Sequence, residues 1–284
     1  MVRYETDRAR TCIWQPEGGF ALRRIALFSD VHGNLTALDA VLESIRRAGI
    51  RELYCLGDLV GYGPDPAGVI DRIRAFGIIT IQGNYDDGVG NRRGECGCYY
   101  PTEQAKRDGA ASYAFTSRSL DDDHAAWLAA LPPALRFEYR GVKVLLAHGS
   151  PRKVNEYLLP NRSDEQLARL AAAADADVVC VGHVHIPYHR ALAGECGTVH
   201  YVSSGSVGKP KDGDPRACWV ELLIGPYEDV HVAVDNDPSV TTAGDTDTFV
   251  GVNVHRVEYD IESVARTMTR AGLPATLAAA LRSA

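Results

Sequence analysis

Three short apolar segments in the first third of the chain each end in a polar residue. The segment "RIALFSD" ends at Asp30, "ELYCLGD" ends at Asp58 and "IITIQGN" ends at Asn84. Apolar residues at helical spacing fill the first gap and stop at Gly49, and a shorter helical pattern, residues 66–77, fills the second. This β-α-β-α-β order predicts a layered α/β fold, in which functional side chains lie beyond the carboxyl ends of the strands.

The rest of the chain continues the alternation of strands and helices. Two helices are predicted within residues 101–131, a hairpin that turns at Gly141, a helix after Ser163, and further strands within residues 176–235. We find no repeats and no clean boundary, so we predict one domain over residues 1–284. It includes an N-terminal extension (1–22) and, at 237–284, a polar loop followed by a strand and two short helices. The second half supplies a second sheet, which predicts four stacked layers.

Composition excludes some classes of function. Hydrophobic residues make up 45% of the chain and charged residues 24%, as in ordinary globular enzymes. The net charge of −7 argues against bulk nucleic-acid binding or membrane binding through a broad basic surface. No apolar run has the length of a bilayer span. Seven cysteines without a signal-peptide pattern favour reduced thiols, and we expect the cytoplasm.

Polar residues that bind metals collect at five predicted strand ends. They are Asp30, His32, Asp58, Asn84, His148, His183 and His185. Taken singly, a histidine there is more often structural, and an aspartate is more often a cap or turn residue. Together, nitrogen and oxygen ligands of this kind suit Zn, Mn, Fe or Ni. Seven groups exceed what one site with open positions needs, so they predict two metals that share a bridging carboxylate.

The same blocks carry a family resemblance. "SDVHGN", "GDLVGYGPDP", "GNYDD", "AHGS" and "GHVH", in this order, resemble the calcineurin-like metallophosphoesterases over about residues 24–221. "GSVGKPKDGDPRACWV" and "EYDIESVARTMTRAGLP" are similar to the small bacterial and archaeal, phosphodiesterase-like branch. The resemblance implies an α/β/β/α sandwich with two mixed sheets and a dinuclear centre between them.

The resemblance also implies roles for the seven residues. Asp30, His32 and His185 would hold the first metal, Asn84, His148 and His183 the second, and Asp58 would bridge. The two histidines of "GHVH" remain interchangeable. Alternate residues of an extended segment point to the same side, which suits Asp-x-His and His-x-His. Manganese is the expected metal, with iron, zinc or nickel as alternatives. A hydroxide between the cations would attack phosphorus, and Asn84 would stabilise the charge on the phosphoryl oxygens.

The segment "QGNYDDGVG" departs from many relatives, which have a histidine after Gly-Asn. Here that residue is Tyr85. A phenol is a poorer acid at pH 7 than an imidazolium, whereas a phosphate leaving group needs no proton. The substitution therefore predicts a preference for diesters or anhydrides over monoesters. Two interpretations of Tyr85 stay open: it stacks on a nucleobase, or it packs in the cleft wall. Asp86 is the second candidate to supply or position a proton.

The leading hypothesis is a metal-dependent phosphoesterase that hydrolyses small nucleotidic diesters or anhydrides, such as cyclic nucleotides or dinucleoside polyphosphates. The alternatives are a phosphomonoesterase or serine/threonine protein phosphatase, and a non-catalytic scaffold of the same fold. Lys209, Lys211 and Arg216 are candidates for binding outer phosphates or for ion pairing. Cys96 and Cys98 of "ECGC" are candidates for metal binding or oxidation. The sequence predicts neither the exact substrate nor the oligomeric state.

Overall fold

The computed structural model of the protein describes residues 5–7, 11–13, 22–195, 197–226, 241–244 and 246–283. The strands are β1 (Glu5–Asp7), β2 (Thr11–Ile13), β3 (Arg23–Phe28), β4 (Glu52–Cys55), β5 (Ile79–Thr80), β6 (Ala134–Tyr139), β7 (Val142–Ala147), β8 (Val178–Val181), β9 (Pro187–Gly194), β10 (Gly197–Ser204), β11 (Ala217–Pro226), β12 (Thr241–Thr242) and β13 (Thr248–Val257). The helices are α1 (Leu35–Arg47), α2 (Pro66–Phe76), α3 (Asn84–Gly90), α4 (Glu103–Ser119), α5 (Asp122–Ala130), α6 (Asp164–Ala173), α7 (Ile261–Arg270) and α8 (Ala275–Ser283).

One sheet combines three strands from the first 80 residues with three strands from residues 217–257. Its strand order is β12-β13-β11-β3-β4-β5, with β3, β4 and β5 parallel and the rest antiparallel. The apolar faces of α1 and α2 pack on one side of it around Phe28 and Trp219. Asn34 caps α1 by accepting the N–H of Ala37, and Gly77 ends α2 in a left-handed conformation. The predicted β-α-β-α-β unit is confirmed.

The second sheet has the order β1-β2-β6-β7-β8-β10-β9 and is also mixed. Helix α6 packs on its outer face through Leu167 and Leu170. Between the two sheets lies an apolar core that includes Leu27, Val144 and Val178. The layers therefore run helix, sheet, sheet, helix, and the predicted α/β/β/α sandwich with two mixed sheets is confirmed.

The predicted strand over residues 78–84 is wrong in its second half. Strand β5 covers only Ile79–Thr80, and Asn84 begins helix α3. The Asp86 carboxylate accepts a 2.9 Å hydrogen bond from the N–H of Gly83, the residue before the helix. A carboxylate at the third helical position satisfies a free N–H and favours helix initiation. The short strand therefore ends early, and Asn84 lies on a helix.

The ends of the chain differ in part from the predictions. Within the predicted polar loop, Thr241–Thr242 pairs with β13, which itself begins at Thr248. In the predicted N-terminal extension, β1 and β2 pair with each other, and β2 runs parallel to β6. The predicted strand at 229–235, loop residues 236–240 and the rest of 1–21 lie outside the described residues. The division into a single domain stays a prediction.

The two predicted C-terminal helices are confirmed as α7 and α8, which pack against each other around Met268 and Leu277. The hydroxyl of Thr276 donates a 2.7 Å hydrogen bond to Oδ2 of Asp108 on α4. The C-terminal helices are thereby tied to α4. None of the helices in the described ranges is both long and apolar enough to cross a bilayer.

Candidate metal centre

The seven predicted ligand residues converge where strands of both sheets end. Asp30 and His32 follow β3, Asp58 follows β4, His148 follows β7, His183 and His185 follow β8, and Asn84 begins α3. Every one of these residues is at most 3% exposed. Seven polar side chains buried in one place indicate a site rather than a solvated surface.

Five of the seven residues have a left-handed backbone. The φ angles are 53° at Asp30, 49° at His32, 55° at Asp58, 65° at His183 and 60° at His185. Residues with a Cβ rarely adopt this conformation, and strain of this kind clusters at functional sites. The prediction that Asp-x-His and His-x-His lie on extended segments is therefore wrong. Tight turns, not a pleated strand, aim both members of each pair at one place.

One cluster consists of Asp30, His32 and His185, whose candidate ligand atoms lie within 4.8 Å of one another. Nε2 of His185 is 3.2 Å from Oδ1 of Asp30 and 3.3 Å from Nε2 of His32. The other oxygen of Asp30, Oδ2, accepts hydrogen bonds from the N–H of His183 (3.0 Å) and from the Ser29 hydroxyl. Oδ1 is thus the oxygen that the aspartate offers to a ligand.

A second cluster consists of Asp58, His148 and His183, with the same 4.8 Å limit on its ligand atoms. Nε2 of His148 lies 3.4 Å from Oδ2 of Asp58 and 3.1 Å from Oδ1 of Asn84. Oδ2 of Asp58 is also 3.7 Å from Nε2 of His32 in the first cluster. One carboxylate oxygen therefore lies between the two clusters, as a bridging ligand would.

Three of the histidines are oriented by backbone carbonyl groups. Each Nδ1–H donates to a carbonyl oxygen: His32 to Val60 (2.9 Å), His148 to Leu56 (2.7 Å) and His185 to Lys209 (2.5 Å). A proton on Nδ1 leaves the Nε2 lone pair free, which is how protein metal sites commonly fix the tautomer of a histidine ligand.

The donor atoms of both clusters fit a pair of divalent cations. Oδ1 of Asp30 and Nε2 of His183 are buried and have no hydrogen-bond partner among the described residues. An unpartnered buried polar atom costs about 1–3 kcal/mol. A cation in each cluster would satisfy one of these two atoms.

The electrostatics of the clusters agree with metal binding. Burial lowers the pKa of His32 and of His183 to about 3, so both imidazoles are neutral. At His148 burial acts in the same direction, but the Asp58 carboxylate outweighs it and raises the pKa to about 10. Binding of a cation through Nε2 of His148 would therefore release a proton, and low pH should oppose it.

Asp86 lies beneath the site and is fully buried. Its carboxylate accepts three backbone N–H groups, those of Asp58 (2.8 Å), Leu59 (2.9 Å) and Gly83 (2.9 Å). Burial raises the pKa of Asp86 to about 7. Both oxygens are thus engaged in holding the loop that carries Asp58 and the start of α3.

The ring of Tyr85 is fully buried. It fills the space beside Gly61, where an added Cβ would lie 2.4 Å from a ring carbon, and it meets His32 edge-on at 5.4 Å between centroids. Its hydroxyl makes no hydrogen bond of standard geometry within the described ranges, although it lies close to the hydroxyls of Tyr62 and Tyr100, and burial raises its pKa well above the usual value. Of the two interpretations of Tyr85, this packing favours the cleft wall over stacking on a nucleobase.

A cavity of about 370 Å³ opens over the two clusters. Sequence reasoning missed most of its walls, which include Tyr62, Tyr99, Tyr100, Asp108, Tyr157 and Thr276. Tyr62 contacts His32 edge-on at 4.8 Å, and the ring of Tyr157 lies 4.1 Å from that of His183. The segment "GYG" after Asp58 indicated only weakly that Tyr62 belongs to the site. Tyr157 and Asp108 belong to no motif.

Lys209 and Lys211, in the loop after β10, line the same cavity. This loop is tied to His185, because the carbonyl of Lys209 accepts the histidine Nδ1–H and the N–H of Lys211 donates to the His185 carbonyl (3.2 Å). The ammonium group of Lys209 lies 4.6 Å above the Tyr62 ring. Arg216, the third predicted cation, instead forms a 2.6 Å ion pair with Asp214.

Comparison with known families agrees with this site. Residues 24–223 match the calcineurin-like phosphoesterase superfamily domain, which spans every residue of both clusters. The chain belongs to the calcineurin-like phosphoesterase superfamily. It has the metallophosphoesterase fold and is a phosphoester hydrolase.

Individual members of the superfamily resemble the chain over much of its length. The uncharacterized protein MJ0912 of Methanocaldococcus jannaschii is 31% identical over 208 residues, covering 69% of this chain and 80% of its own. The phosphodiesterase YfcE of Escherichia coli K12 is 26% identical over 206 residues, covering 69% and 85%. The crystal structure of a metallophosphoesterase from Sphaerobacter thermophilus superposes with a TM-score of 0.64 at 28% identity, covering 92% and 98%.

Proposed function

We propose that this phosphoesterase hydrolyses phosphodiester or phosphoanhydride bonds of small nucleotidic substrates, at a centre that holds two divalent cations. The observation that carries the proposal is the make-up of one cavity. Its floor includes metal-ligand candidates from both clusters, and its walls present tyrosine rings and two lysines. Such a cavity suits a ligand that has both phosphoryl groups and flat rings.

We assign Asp30, His32 and His185 to one cation, Asn84, His148 and His183 to the other, and Asp58 to both. Imidazole, carboxylate and amide donors suit Mn, Fe, Zn or Ni better than Mg, and we propose manganese. When bound, the cations would supply a nucleophile from water near neutral pH and polarise the phosphoryl group.

Asn84 presents its oxygen and not its NH₂ group to the second cluster. Its Nδ2 donates to the carbonyl oxygen of Cys96 (2.9 Å) and contacts Sγ of Cys98 (3.1 Å). Its Oδ1 faces Nε2 of His148. We therefore propose that Asn84 acts as a metal ligand through Oδ1, and that the two cysteines orient it.

The surroundings of residue 85 favour leaving groups that need no proton. The buried Tyr85 hydroxyl has a raised pKa and so holds its proton more tightly than a free phenol. We propose that Tyr85 shapes the cleft wall and that Asp86 positions the Asp58 loop, neither acting as a proton donor. A site without a general acid loses about 10²-fold or more on substrates with basic leaving groups, such as alkyl monoesters.

The walls of the cavity match the parts of a nucleotide. Lys209 and Lys211 can bind phosphoryl oxygens beyond the scissile bond, as lysines commonly do. Tyr62, Tyr100 and Tyr157 offer partly exposed rings on which a base can stack, a contact worth about 1–3 kcal/mol per base. This favours an anhydride or diester of a nucleoside over a phosphoprotein, whose peptide segment needs a more open groove.

The relatives and the presence of all seven metal-ligand candidates help to distinguish the alternative functions. YfcE, named a phosphodiesterase, supports the diester proposal. A non-catalytic scaffold would not need to keep all seven donors buried at one place, five of them with a left-handed backbone. Phosphomonoesterase activity is the competing hypothesis. The two activities are distinguished by whether diesters and anhydrides or monoesters are hydrolysed faster.

A panel of substrates tests the proposal. Manganese-reconstituted enzyme would be assayed on bis-p-nitrophenyl phosphate, a cyclic nucleotide, a dinucleoside polyphosphate, p-nitrophenyl phosphate and phosphoserine. We expect kcat/KM for a diester or the anhydride to exceed that for phosphoserine by about 10²-fold. A preference for phosphoserine would replace the proposal by the monoesterase alternative.

A further inference from the structure

The two cysteines of "ECGC" lie in contact beside the metal centre. Their sulfur atoms are 2.7 Å apart, and Gly97 between them has the left-handed φ of 68° that turns both side chains to one side. This turn is clamped by Asn155, whose Nδ2 donates a 2.9 Å hydrogen bond to the Gly97 carbonyl. Cys98 lines the substrate cavity, whereas Cys96 is almost fully buried behind it.

The same turn fixes the orientation of Asn84. The Nδ2 of Asn84 is held by the Cys96 carbonyl and by the Cys98 sulfur, which leaves Oδ1 directed at the second cluster. Any reaction that moves the Cys98 sulfur therefore acts on the position of Asn84. Partners that orient ligands typically change metal affinity or activity by about 10–100-fold when they are altered.

We propose that Cys96 and Cys98 form a thiol-oxidation site for small peroxides, and that the resulting disulfide reversibly weakens the second cation site. This inference concerns regulation of the centre and rests on the proposed function. Oxidation would pull the Cys98 sulfur toward Cys96 and away from the Asn84 amide. Asn84 would then lose one of the two contacts that set its orientation.

The chemistry balances with hydrogen peroxide as the oxidant. The thiolate of one cysteine attacks one peroxide oxygen, the O–O bond breaks, and a sulfenic acid and hydroxide form. The thiol of the other cysteine then attacks the sulfenic sulfur, the S–O bond breaks, and water leaves as the disulfide forms. Two thiols are oxidised by two electrons and one peroxide is reduced. A disulfide across a single intervening residue is strained, and strained disulfides are readily reduced again.

The experiment reads the thiols, the metal and the activity separately. The manganese-loaded chain would be treated with hydrogen peroxide or, in parallel, with diamide, which also oxidises thiols to disulfides, and then with an alkylating agent. Both cysteines fall in one tryptic peptide, residues 94–106, so mass spectrometry distinguishes the disulfide from two alkylated thiols. Metal content after desalting and hydrolysis of bis-p-nitrophenyl phosphate would be measured on the same sample.

Two variants serve as a matched pair. Cys96→Ser removes the partner sulfur and keeps the backbone carbonyl that holds Asn84. Cys218→Ser removes a buried thiol outside the pair. We expect hydrogen peroxide, like diamide, to form the disulfide in the wild type and in Cys218→Ser, with activity about tenfold lower, less metal retained, and recovery with dithiothreitol. Oxidation should change neither the activity nor the metal content of Cys96→Ser relative to its own untreated sample.

The outcomes separate this inference from the proposed function. A disulfide in peptide 94–106 with unchanged metal content and activity would overturn the inference alone, as would inactivation with both thiols still free. An untreated protein that retained no metal and hydrolysed no phosphoester would overturn the proposed function, and the inference with it.

Discussion

The backbone N–H of Tyr85 donates a 2.8 Å hydrogen bond to Oδ1 of Asp58. The first turn of α3 thus holds one oxygen of this carboxylate and leaves Oδ2 between the two metal clusters. The position of the proposed bridge is therefore set by the backbone of the same turn that carries Asn84.

Replacing the bridge should disable both cation sites. In Asp58→Asn the side-chain oxygen can still accept the Tyr85 N–H, but a neutral amide cannot offer a charged oxygen to two cations. We expect a loss of activity of about 10²-fold or more and a fall in metal content, measured by elemental analysis. Asp71→Asn, an exposed aspartate, is the matched control and should change neither. Near-normal rates in Asp58→Asn with full metal occupancy would contradict the assignment.

Asp86→Asn should weaken the fold around the site without changing substrate choice. The wild-type carboxylate accepts hydrogen bonds from three backbone N–H groups. In the variant the asparagine NH₂ would face at least one of these N–H groups, and it cannot accept a hydrogen bond. We expect a loss of about 1–3 kcal/mol in the free energy of unfolding, seen as a lower Tm. The ratio of diester to monoester activity should stay constant, and a selective change in that ratio would instead indicate a proton-transfer role.

Tyr85→Phe should hardly change the activity. The hydroxyl makes no hydrogen bond of standard geometry in the described structure, and the ring alone fills the space beside Gly61. Removing an unpartnered buried hydroxyl is neutral or stabilising, so Tm should be unchanged or higher and diester turnover should vary by less than about twofold. Loss of all activity with metals still bound would show that the phenol is catalytic.

Much of this architecture could be predicted from local patterns. The apolar segments predicted the strands. The polar residues at their ends predicted the site, because the ends of buried strands bring side chains to a common edge of the sheet. The seven ligand candidates followed because each stands directly after such a segment. The left-handed turns at Asp30, His32, His183 and His185 could not be predicted, since non-glycine residues adopt them only where tertiary contacts impose them.

The substrate walls were predicted poorly for a related reason. Tyr157 and Asp108 reach the cavity from a loop and a helix that carry none of the motifs. The contact between Asn84 and the cysteine turn likewise depends on how α3 is placed, and α3 was itself predicted as the end of a strand. Side-chain contacts across such distances depend on tertiary packing that periodicity does not encode.

Lys211→Ala should weaken the binding of multiply charged substrates. We expect KM for a dinucleoside polyphosphate to rise by about tenfold, the value of one hydrogen bond to a charged group. KM for bis-p-nitrophenyl phosphate, which has a single phosphate, should change less. Arg216→Ala is the control, because that guanidinium is paired with Asp214 and should affect neither KM. Equal effects of Lys211→Ala on both substrates would argue against a site for an outer phosphate.

Metal reconstitution tests the central claim most directly. The chelated protein would be titrated with Mn²⁺ or with Mg²⁺, and bound metal and bis-p-nitrophenyl phosphate hydrolysis would be followed together. Imidazole and carboxylate donors in both clusters predict tight binding of about two Mn²⁺ per chain, activity that rises as the sites fill, and weak activation by Mg²⁺. Full activity with no tightly bound metal, or with Mg²⁺ alone, would contradict the account.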